Sequence, residues 1–101
     1  MNRDDVLNKV IYPTIKKANA SMPNFFMDKI DENVVFYGRP NAILDSLNLV
    51  SFVFLIEEEV ENVFNKKITI STQDVLDTEN PPFGSISNLV DFLMKKINSA
   101  N

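Results

Sequence analysis

Apolar residues recur at helical spacing in three long stretches of the chain. Leu7, Val10, Ile11, Ile15 and Ala18 share one face of residues 4–20. A first helix is predicted there, which Pro13 must kink or interrupt because it lacks the donor N–H and crowds the carbonyl four residues back. A second helix is predicted from Ser46 to near Phe64, where Asn65 can take the left-handed stop conformation and Lys66 and Lys67 complement the negative helix end. Its core-facing stripe on a helical wheel is Leu49, Val53, Ile56, Val60, Val63 and Phe64. Ile68 and Ile70 then alternate with Lys67, Thr69 and Ser71, the pattern of a half-buried extended segment. Ser71-Thr72-Gln73-Asp74 offers a capping-box start to a short third helix through Asp77. Asn80-Pro81-Pro82-Phe83 bars its continuation, and Ser85 can cap a last helix with Ile86, Leu89, Val90, Leu93, Met94 and Ile97 at helical spacing.

Residues 21–44, between the first two helices, are irregular but carry Phe25, Phe26, Ile30, Val34, Val35, Phe36 and Tyr37, and close on Gly38-Arg39-Pro40. A solvated loop would not hold so much apolar surface, so the segment is expected to pack over the helices with one short helical or extended piece of its own. The expected fold is all-α: a small bundle of three longer helices and one short third helix.

With 101 residues, 45% of them hydrophobic, the chain has the size of a single domain spanning 1–101. Neither cysteine nor histidine occurs. Their absence excludes thiol nucleophiles, disulfides, soft-ligand zinc sites and the usual general base near neutral pH, so the chain is not expected to be an enzyme. The start Met1-Asn2-Arg3-Asp4-Asp5 carries acids where a signal peptide needs a basic region, and the longest apolar run, Phe52 to Ile56, cannot span a bilayer. A cytoplasmic protein without membrane insertion is expected. The net charge of −4 arises wholly after Asp45, where Glu57, Glu58, Glu59 and Glu61 cluster. That surface repels nucleic acid, so partners are expected to present Lys or Arg.

Leu47 and Phe54 fall outside the core stripe of the second helix. They line up instead with Ser51, Glu58 and Glu61 on a separate face. Either this face docks partners through a few apolar anchors and charge-steered encounter, or the preceding irregular segment covers it. Ser46 stands at the positive end of the same helix, where unpaired backbone N–H groups favour a negative group such as a phosphodiester. Asp45 and Ser46 are also ordinary helix-capping residues, and capping alone accounts for such a pair in most proteins.

From Gly38 to Ile97 the chain resembles the acyl carrier proteins. The resemblance rests on Ala42-Ile43-Leu44-Asp45-Ser46-Leu47, followed by Val50, Phe52, Val53, Ile56, the Glu57-Glu58-Glu59 acids and Val60. Ile68-Thr69-Ile70, the short third helix and the closing Ser85-Ile86-Ser87-Asn88-Leu89-Val90-Asp91-Phe92-Leu93 extend it. It implies a four-helix bundle of acyl-carrier type, with a 4'-phosphopantetheine arm moved by a phosphopantetheinyl transferase from coenzyme A onto Ser46, Asp45 and Leu47 flanking the attachment site. The terminal thiol of the arm would hold an acyl or aminoacyl group as a thioester, the chemistry belonging to the cofactor and presentation to the protein. The implied partners are that transferase, a loading ligase, and a downstream transferase or synthase with basic docking patches meeting Leu47, Ser51, Phe54, Glu58 and Glu61. The implied state is a monomer.

Two features depart from the housekeeping carriers of fatty acid synthesis. Positions Asn48 and Ser51, usually acidic there, are neutral here, which moves the steering charge toward Glu57 to Glu61. The long apolar segment before Asp45 and the Asn80-Pro81-Pro82-Phe83 insertion are similar to stand-alone carriers of specialised pathways, such as surface-polysaccharide or secondary-metabolite assembly. An alternative from another class is an unmodified interaction subunit that docks a partner through the second helix. A small enzyme using paired carboxylates has little support, because a run such as Glu57 to Glu61 more often forms a solvated helix face.

Overall fold

The computed structural model describes residues 2–21, 35–37, 42–76, 79 and 81–100. These form four helices, with no strand among the described residues. Helix α1 (residues 3–21) is continuous through Arg3–Val6, Leu7–Ile11 and Tyr12–Ser21. Asn2 caps it in a reciprocal capping box with Asp5. Pro13 neither ends nor interrupts this helix. The turn before it, Leu7–Ile11, is π-helical, and the Tyr12 N–H reaches back to the Leu7 carbonyl. This wider turn relieves the crowding that the proline ring would otherwise meet at the preceding carbonyls.

Helix α2 (Ser46–Phe64) ends where Asn65 turns left-handed at φ 55°, as the sequence predicts. Lys66 crosses to the end of the last helix and donates to the Ile97 carbonyl at 3.3 Å, instead of serving its own helix. Ile68 and Ile70 are buried and Lys67 and Thr69 exposed, the expected alternation. Helix α3 (Thr72–Val75) opens on the Ser71–Asp74 capping box and is shorter than the sequence suggests, with Leu76 as its C-cap; Asp77 lies outside the described residues. Helix α4 (Ile86–Ser99) is capped by Ser85, whose Oγ accepts from the Asn88 N–H. Ile86, Leu89, Val90, Leu93 and Ile97 are buried along it and Met94 half-buried.

The first turn of α1 lies against α4 and its remainder against α2. The Cα radius of gyration of 12.5 Å is that of a compact chain of this length. On α2 the buried arc is rotated from the expected stripe: Phe52 is fully buried, Val53 and Phe64 only partly, and Val63 is 37% exposed. Two other chain segments draw Phe52 inward. Its ring lies 5.3 Å from Phe36 and 6.4 Å, edge to face, from Phe83. Backbone bonds hold that cluster: the Phe83 carbonyl accepts from the N–H groups of Phe36 and Tyr37, and Val35 and Phe36 accept from Ile43 and Leu44. Residues 35–37 and 42–44 thus pack over the helices, as expected of the long connection, without forming a regular helix or strand. Phe25, Phe26, Ile30, Val34 and Gly38-Arg39-Pro40 lie outside the described residues. Gly84 closes the adjoining turn, donating to the Pro81 carbonyl at 3.1 Å where an added Cβ would come within 3.1 Å of the Pro81 ring.

Candidate functional site at the start of α2

Asp45 is the N-cap of α2. Its backbone is extended and its Oδ1 accepts from the Asn48 N–H at 2.7 Å, so the capping role belongs to Asp45 and leaves Ser46 as the first helical residue. The Asp45 carbonyl accepts from the Leu49 N–H at 2.9 Å, closing the first helical bond. The remaining first-turn N–H groups and the helix dipole make this end of a 19-residue helix favourable to negative charge.

The outer face of α2 begins directly beyond Ser46. Leu47 and Phe54 are 80% and 62% exposed, and Ser51, Glu58 and Glu61 are exposed with them. The predicted outer face is therefore one continuous surface. Val50, 70% exposed, belongs to it as well. The sequence carries the signal for Val50, three residues after Leu47 and four before Phe54, the spacing of neighbours on a helix.

A groove of about 430 Å³ runs between α2 and the segment that ends in α3. Val50, Val53 and Phe54 form one wall, Ile70, Val75 and Leu76 the other, and Tyr37, Glu57, Ser71 and Thr72 add polar groups. Leu76 is 63% exposed at the rim. Glu57 ties the two walls together: its Oε2 accepts from the Ile70 N–H at 2.8 Å. Farther along, Lys96 pairs with Asp74 at 3.0 Å and lies over the Phe92 ring, linking α3 to α4. Burial pushes the Asp74 carboxyl up, but the Ser71 N–H and hydroxyl and the Lys96 ammonium outweigh it and hold the group below the usual aspartate range.

The acids of α2 do not act as one cluster. Glu59 is buried and paired with Lys17 of α1 at 2.6 Å, and this hydrogen bond, with the attraction of Glu59 and then Glu58, raises the Lys17 ammonium above its ordinary value. Glu57 faces the groove and Glu58 and Glu61 face solvent. Among the described residues no group of three or more acidic side chains is arranged to hold a metal ion, and no helix is long and apolar enough to cross a membrane. No family model matches the chain, and neither a curated protein nor a solved structure matches it.

Proposed function

We propose that this chain is a cytoplasmic carrier protein whose four helices form a bundle of acyl-carrier type, and that Ser46 takes a 4'-phosphopantetheine arm from coenzyme A. One observation carries the reading. Ser46 opens a long helix that Asp45 already caps, and the exposed apolar residues Leu47, Val50 and Phe54 follow it along the outer face. The N-cap position of this helix is held by Asp45, one residue before the serine, and core packing does not account for the apolar residues after it.

The residues present fit the arm. The first-turn N–H groups of α2 favour a phosphodiester at Ser46 by about 0.3–1 kcal/mol. By holding the Asn48 N–H, Asp45 fixes where the helix starts and hence where the attachment residue stands. When bound, the arm supplies a thiol that carries an acyl or aminoacyl group as a thioester. The chain itself presents the group. Leu47, Val50 and Phe54 offer apolar anchors, and Glu58 and Glu61 steer loading and accepting enzymes that carry basic patches. Charge placed along α2, away from its first turn, favours a dedicated partner set over that of general fatty acid synthesis.

The exposed face also supports a second reading, an unmodified subunit that docks a partner through α2. Intact mass separates the two. Incubated with coenzyme A, magnesium and a broad-specificity phosphopantetheinyl transferase, the parent chain is expected to gain one phosphopantetheine and Ser46→Ala none. No gain by the folded parent, beside a control carrier that is modified, would leave the docking-subunit reading in its place.

A further inference from the structure

The groove between α2 and α3 holds one carboxylate among largely apolar walls. Glu57 is half-buried and accepts from the Ile70 N–H through Oε2. Among the described residues no lysine or arginine pairs with it, whereas Glu59, two residues on, is paired with Lys17. An ionised carboxylate offers about four acceptor positions over its two oxygens, so one backbone bond leaves most of its capacity open. Beside apolar walls that capacity favours a cation, because reduced solvent screening strengthens the attraction.

We propose that this groove takes a compact apolar group bearing an ammonium ion, the apolar part lying against Val53, Phe54, Val75 and Leu76 and the ammonium donating to Glu57. A volume of about 430 Å³ lies within the range of ligand pockets and leaves room for a group of amino-acid size. Leu49 and Val50, which line the groove, stand one helical turn beyond Ser46, so an attached group has a short path into it. Resting on the carrier reading, this assigns the cargo to the aminoacyl or aminoalkyl class.

Free ligands test the groove without the arm. The unmodified protein is titrated near neutral pH with hexylamine, hexanol and hexanoate while the amide signals of Val50, Ile70 and Val75 are followed. Hexylamine is expected to bind about fivefold more tightly than hexanol, the gain typical of one partly screened ion pair, and hexanoate most weakly. Glu57→Gln keeps an oxygen to accept from the Ile70 N–H but removes the charge, and should bring hexylamine down to the affinity of hexanol. Asp4→Asn, an exposed acid of α1 outside the groove, should leave the preference unchanged. Equal binding of amine and alcohol, no saturable binding by any of the three, or an equal loss in Asp4→Asn would each overturn the proposal. Because Ser46 is unmodified throughout, the outcome is independent of whether a transferase loads it.

Discussion

The two faces of α2 are built from similar residues and put to different ends. Inward, Phe52, Ile56 and Val60 are fully buried, and the one acid on that side, Glu59, is matched by Lys17. Outward, Leu47, Val50 and Phe54 stand in solvent beside Glu58 and Glu61. Apolar character alone does not distinguish these faces. What distinguishes them is what arrives from elsewhere in the chain: the Phe36 and Phe83 rings close over Phe52, while no described side chain does so for Phe54. A residue's role in this small bundle is set by its partners, and an apolar residue without one is open to binding.

The largest effect should come from breaking the inward face. Phe52→Ala removes the ring at the centre of the aromatic cluster and is expected to cost about 3–5 kcal/mol in urea unfolding. Phe54→Ala, the outward counterpart, should change stability by no more than about 0.5 kcal/mol. Comparable losses in the two variants would erase the distinction between the faces. A smaller effect sharpens the account of the interior. Thr14 is fully buried on α1, and its Oγ1 has no hydrogen-bond partner among the described residues. Thr14→Val keeps the shape and removes the orphaned hydroxyl, and should raise the unfolding free energy by about 1 kcal/mol.

The smallest effect concerns the wall of the groove. The Asp74 carboxyl is held below its unfolded value, so its contribution to stability is present above the unfolded value of about 3.9 and is lost as pH falls through the folded value. The sign follows from the unfolded chain binding a proton first. Asp74→Asn should therefore flatten the acid side of the stability profile and leave its alkaline side unchanged, read by thermal unfolding across pH.

Much of this arrangement is legible in the sequence because it is written in local chemistry. Asp45 at one end of α2 and Asn65 at the other set its limits, and Ser71 and Ser85 announce the helices they cap, since capping depends on residues within a single turn. The outward face of α2 follows from the same helical periodicity. What is not legible depends on distant partners. The periodicity of α2 alone favours Val53 and Val63 as core residues; the core takes Phe52 because Phe36 and Phe83 meet it from other segments. The passage of α1 through Pro13 depends on a π turn that no local residue preference signals. The acids between Glu57 and Glu61 read as one solvated run, yet Glu59 pairs with α1 and Glu57 binds the Ile70 backbone, both contacts made by other parts of the chain.

The central proposal is that Ser46 takes the arm, and a timed transferase reaction followed by intact mass tests it most directly on the parent, Ser46→Ala and Phe54→Ala proteins, each first shown to unfold at the same denaturant midpoint. The account predicts one complete addition to the parent, a slower one to Phe54→Ala and none to Ser46→Ala. An addition to Ser46→Ala, or none to the parent while a control carrier is modified alongside it, would contradict the claim.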